Sequence, residues 1–111
     1  MKLTTSQQEV MDRAKARIDF ARSHNFYDWF RKCYRFYESN SEEDIDKYIE
    51  KEEQRYPTMK DYYKNRYEGE INAITIVMAN TRTLKALEKL GLIEMLEEGG
   101  SYPDSIKIIN Y

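Results

Sequence analysis

Two kinds of apolar residue are segregated along this chain, and the segregation limits what it can fold into. Of 18 valine, isoleucine and leucine residues, 13 follow residue 70, whereas 13 of 15 aromatic residues lie between Phe20 and Tyr67. The expectation is an α+β fold in which an aromatic, helical part packs on an aliphatic part containing strands, because β-branched residues suit a half-buried pleated surface. With 111 residues there is room for one core and too little for two independent lobes. Residues 1–111 are therefore expected to be a single domain, helical and aromatic-rich over 1–68 and strand-helix-hairpin over 69–111.

Charged residues make up 34% of the chain and hydrophobic ones 41%, a composition that excludes both a disordered and a membrane-spanning polypeptide. No apolar run approaches the roughly 20 residues of a transmembrane helix, and MKLTTSQQEV has no secretory h-region. A cytoplasmic location away from membranes is the expectation. A single cysteine, Cys33, leaves no internal disulfide and no multi-cysteine metal site. A single histidine, His24, removes most zinc and triad chemistries, so no metal, cofactor or catalytic residue is expected. Charge is polarised: residues 1–36 carry 8 basic and 4 acidic groups (+4), residues 37–70 carry 6 and 11 (−5), and residues 71–111 carry 4 and 5 (−1). A protein that coats phosphate with general positive charge is excluded, while a local basic face remains open.

Capping and periodicity predict three or four helices before residue 68. In the first, over about residues 5–23, Thr5 caps, Gln8 completes a capping box, and Met11, Ala14, Ile18 and Ala21 recur at helical spacing. Asn25 interrupts, and FYDWFRKCYRFY then places Phe26, Trp29 or Phe30, Cys33 and Tyr37 on one stripe. Ser41 caps a third helix whose Glu42, Glu43 and Asp44 complement the helix dipole and whose Ile45, Tyr48 and Ile49 form the buried side. Pro57 redirects the chain, and Met59, Tyr62, Tyr63 and Tyr67 suggest a short helix ending before Gly69.

From Ile71 the run INAITIVMA reads as a strand bounded by Gly69 and Asn80. Asn80 or Thr81 caps the helix TRTLKALEKL, with Leu84, Leu87 and Leu90 inward and Gly91 as a left-handed C-cap. LIEMLEE and DSIKIINY, separated by GGSYP, form a β-hairpin in which Ile106 and Ile108 make an apolar face.

The stretch NTRTLKALEKLGLIEMLEEGG, with its capped helix, leucine stripe, G-L-I turn and following hairpin, resembles the recognition-helix-to-wing segment of winged helix-turn-helix proteins over residues 80–110. LTTSQQEVMDRA is similar to a first helix of that class. The resemblance implies that the N-terminal turn of the late helix lies in the major groove of DNA, with Asn80, Thr81, Arg82 and Lys85 contacting bases or phosphates. Beside these, Lys89 extends the positive side of the helix, Thr83 adds a polar contact, and Arg13 and Arg17 are candidate flanking contacts. It also implies that dimerisation through the first helix is open to such a chain. The closing D-x-I-K-x-x-N-Y pattern resembles small proteins encoded by phages and mobile elements of Gram-positive bacteria. In two respects the segment departs from the winged-helix pattern. The hairpin tip from Glu97 to Asp104 has no Lys or Arg, and a strand, INAITIVMA, stands where the preceding helix would be.

The resulting functional expectation is a nucleic-acid-binding accessory or regulatory protein, not an enzyme. Its alternative is a protein-interaction module, such as a phage-encoded inhibitor or adaptor that engages a host or phage protein. Trp29, Arg31, Tyr34 and Arg35 are the candidate partner-binding residues for that alternative, since tryptophan, tyrosine and arginine dominate interface hot spots. Interleaved with Phe30, Lys32 and Phe36, the same stretch has the ring-plus-cation mixture of a single-strand stacking surface; on an ordinary helix those rings face the core. The acidic run EEDIDKYIEKEE offers Asp44 and Asp46 without a matching ligand set, and reads as a solvated helix face.

Overall fold

A computed structural model describes residues 2–34, 41–96 and 104–111. Five helices and a small sheet follow in the order α1 (Thr5–Ser23), α2 (Phe26–Cys33), α3 (Glu42–Arg55), α4 (Met59–Ile71), β1 (Ile74–Val77), α5 (Thr81–Lys89), β2 (Ile93–Met95) and β3 (Asp104–Ile108). The expected α+β class and element order are present. Arg35, Phe36, Tyr37 and the hairpin tip from Glu97 to Pro103 lie outside the described residues.

The chain begins with a one-residue correction. Thr4, not Thr5, caps α1, and its partner in the capping box is Gln7. Paired threonines and paired glutamines make both registers chemically equivalent over the first turn, and Gln8 is free to donate to Asp12 one turn on, at 2.9 Å. Asn25 ends nothing by itself: its side chain accepts from the Asp28 amide and starts α2. Ser41 and Asp44 form the capping box of α3.

The expected stop before Gly69 does not occur. Helix α4 continues to Ile71, and the strand predicted from Ile71 contracts to Ile74–Val77. Between them Ala73 takes φ 65°, a left-handed conformation costing about 1–2 kcal/mol outside glycine. Two bonds fix it there: its amide donates to the Glu70 carbonyl at 3.1 Å, and its carbonyl accepts from the Ile108 amide at 2.9 Å. This tight reversal lays the last turn of α4 against β1.

The sheet is antiparallel with β3 in the middle, in the order β1-β3-β2. Thr75 lies opposite Ile106 and Val77 opposite Asp104 on one side of β3; Ile93 lies opposite Ile108 and Met95 opposite Ile106 on the other. With a side-chain period of two, this register puts Thr75, Val77, Ile93, Ile106 and Ile108 on one buried face. Helices α1 and α5 cover that face through Val10, Met11, Ala14, Ile18, Leu84 and Leu87. A second, aromatic cluster gathers Ala21, Phe26, Trp29, Phe30, Ile45, Ile49 and Tyr63. Helix α1 belongs to both clusters and is the spine of the fold.

Nine residues are too few for an independent helix, and packing holds α5 in place. Burying Leu84 and Leu87 completely is worth roughly 1.5–3 kcal/mol each, more than the roughly 1 kcal/mol of its Asn80 cap. Gly91, at φ 78°, closes the helix as expected: its amide donates to the Glu88 carbonyl and that of Leu92 to the Leu87 carbonyl, the paired bonds of a Schellman turn.

Candidate functional site

Because Leu84 and Leu87 fix which side of α5 is inward, they also fix which side is wet. Arg82, Lys85 and Lys89 are exposed and, at spacings of three and four residues, share one stripe of the helix. Among the described residues no carboxylate lies within ion-pair distance of these three cations. Glu88, the acidic residue between them, has its Oε2 2.7 Å from the Met95 amide, where it caps the edge of β2. Thr81 is exposed and Thr83 half-buried. Asn80 is exposed, but its Oδ1 is committed to the Arg82 amide at 2.8 Å, so only its Nδ2 is left to a ligand.

On α1, Arg13 is exposed, whereas Arg17 is half-buried and its Nε is committed inside the protein. The Nε–H of Arg17 is shared between Glu70 Oε2 at 3.0 Å and Thr75 Oγ1 at 3.2 Å, and its Nη2 lies 3.6 Å from Cys33 Sγ. Glu70 is fully buried near the end of α4. It accepts from Trp29 Nε1 at 2.6 Å and from Thr75 Oγ1 at 2.7 Å, and Arg66 Nη2 stands 3.8 Å away. Burial opposes the charge on Arg17, but the Glu70 carboxylate more than compensates and raises the guanidinium pKa. A buried carboxylate is tolerated only when its oxygens are bonded and its charge balanced, and this network does both. Sequence reasoning missed Glu70, Thr75 and Arg66. Their one signal was spacing, since Glu70 continues the Tyr63 and Tyr67 stripe and so falls on the inward side of α4.

Arg13, Arg17 and Arg66 line a cleft of about 360 Å³ together with Cys33, Tyr34 and Tyr62, and Ile76, Val77 and Met78 supply its aliphatic lining. Burial pushes the Tyr34 phenol above its ordinary range, and burial likewise raises the Cys33 thiol. That burial favours the thiol form of Cys33 over the thiolate. His24 is occupied elsewhere: its ring stacks on Phe20 and its Nδ1 bonds Ser23 Oγ and the Phe20 carbonyl. Asp44 caps α3, Asp46 accepts from Tyr27, and no metal-holding group of side chains occurs among the described residues.

The residues of the interaction-module expectation are not brought together at the surface. Trp29 is 1% exposed and is bonded to Glu70, which corrects its assignment as a partner-facing ring. Arg31 is mostly covered and paired with Asp28 at 2.6 Å, Tyr34 is half-buried against Phe30 and Tyr63, and Arg35 lies outside the described residues. Lys32 sits over the Phe20 ring at 4.0 Å instead of framing a stacking platform. Among the described residues, no helix is long and apolar enough to cross a membrane.

No family model, curated protein or solved structure matches this chain.

Proposed function

We propose that this chain is a nucleic-acid-binding protein of winged-helix-like architecture, an accessory or regulator of the phage or mobile-element type, with α5 as its recognition helix. One observation carries the reading: Arg82, Lys85 and Lys89 stand exposed on a single stripe, without an ion pair among the described residues, on a helix whose opposite side is anchored in the core. The resemblance implies a late helix followed by a hairpin, and β2 and β3 do follow α5, whereas β1 stands where that pattern has a helix. Residues 78–80 lead directly from β1 into α5, so the reading rests on the late helix and the sheet and not on a two-helix motif.

In this mechanism the three cations neutralise backbone phosphates, while Thr81 and the Asn80 amide nitrogen reach base edges from the first turn of α5. Arg13 supplies a flanking phosphate contact from α1. Association is then electrostatic, and its affinity falls with salt according to the number of phosphates neutralised. The test is fluorescence anisotropy with duplex and single-stranded oligonucleotides across a salt series. Arg82→Ala combined with Lys85→Ala reduces the slope of log K against log salt by about 2. Absence of binding at low salt overturns the proposal.

A further inference from the structure

We propose that the cleft between α1, α4 and the end of β1 is a binding site for a phosphate group, gripped by Arg13, Arg17 and Arg66. Charge accounting is the first support. Three guanidinium groups line this cleft, and among the described residues Glu70 is the one carboxylate within ion-pair distance of any of them. Three positive charges against one leave a formal excess of two. Glu70 has little more to give, because its oxygens already take bonds from Trp29, Thr75 and Arg17, while Arg66 stands at 3.8 Å.

Burial sharpens the demand. Arg66 is only 14% exposed and Arg17 41%, so neither has the hydration of a free surface arginine, and a dianion entering the cleft would replace what they have lost. Guanidinium forks match the oxygens of phosphate, which suits them to this role better than point charges. Tyr34 and Tyr62 also line the cleft, and a phenolic O–H can donate to an anion. Ile76, Val77 and Met78 give the cleft an aliphatic lining, with Met78 67% exposed, for the organic body that carries the phosphate. At about 360 Å³ the cleft is at the small end of ligand pockets, the size of a phosphorylated metabolite or mononucleotide. A phosphodiester of a bound nucleic acid would offer the same chemistry, since Met78 lies two residues before Asn80. This site does not depend on α5 being a recognition helix.

The experiment is thermal unfolding and isothermal titration of the full chain with sodium phosphate, a nucleoside 5′-monophosphate and a duplex oligonucleotide, each against sodium chloride at equal ionic strength. Saturable binding weakened about tenfold by Arg13→Gln and by Arg66→Gln, and unchanged by Lys85→Ala, is the expected result for the two small phosphates. If only the duplex binds and Arg66→Gln weakens it as Arg13→Gln does, the phosphate in the cleft belongs to a polynucleotide; if only the duplex binds and Arg66→Gln leaves it unchanged, the site is refuted. If none of the three binds, or if binding is the same in Arg13→Gln, the site is refuted. Arg13 is exposed and unpaired among the described residues, so its substitution tests the cleft even where Arg66→Gln disturbs folding.

Discussion

The indole N–H of Trp29 donates to Oε1 of Glu70 across 2.6 Å, although the two residues are 41 positions apart in sequence. This bond, with those from Thr75 and Arg17 to the other carboxylate oxygen, ties α1, α2, α4 and β1 together where the aliphatic and aromatic clusters meet. Glu70→Ala strands the Trp29 donor and leaves Arg17 without its counter-charge, and should cost about 3–5 kcal/mol. Glu70→Gln keeps an acceptor for Trp29 and should cost less. Urea unfolding followed through Trp29, the sole tryptophan, measures both; a loss below about 1 kcal/mol in Glu70→Ala would contradict the role given to this network.

Alkaline pH should unfold the aromatic cluster before it affects α5. Burial pushes the Tyr63 phenol from 10.0 up to about 12, and Tyr34 is raised as well. A raised acid binds its proton more tightly when folded, so the stability it confers is intact below pH 10 and is lost between about pH 10 and 12. Melting temperatures should hold up to about pH 10 and fall progressively from there towards pH 12. Tyr63→Phe should flatten the decline, and a wild-type protein whose melting point is constant over this range would count against the assignment.

The register of the first cap can be read by substitution. Thr4→Ala removes the side-chain oxygen that accepts from the Gln7 amide and should cost about 1 kcal/mol. Thr5→Ala, inside the first turn, should be neutral or slightly stabilising by helix propensity. Denaturant midpoints that rank the two variants the other way would place the cap at Thr5.

Gly91 is needed for its backbone and not for space. Among the described residues, no atom beyond its chain neighbours lies within 4 Å of where a Cβ would stand, yet φ is 78°. Gly91→Ala should therefore cost about 1 kcal/mol, all of it conformational. A substantially larger loss in chemical denaturation would mean that a side chain meets something at this turn.

Local chemistry made much of the fold legible. Ser41 with Asp44, Asn25, Asn80 and Gly91 mark helix ends by short-range bonds that the sequence displays, and the alternation of Ile106 and Ile108 identifies the buried face of β3. What escaped depends on distant partners. Glu70 looks like one more solvated glutamate in a polar helix until α1, α2 and β1 enclose it. The end of α4 was misplaced because Gly69 carries a helix-stop signal, while the actual stop is the left-handed turn at Ala73, held by Ile108 of β3. The cations of α5 were legible from the leucine stripe opposite them; the commitment of Arg17 to Glu70 and the burial of Trp29 were not, because no local pattern specifies a partner that far along the chain.

The most direct test of the α5 proposal is a titration of the isotopically labelled protein with a short DNA duplex at low salt, followed residue by residue through the backbone amides. The proposed recognition role predicts the largest shifts over Asn80–Lys89, accompanied by Arg13 and fading as salt is raised. Unmoved α5 resonances, or shifts confined to the aromatic helices α2 and α3, would contradict it.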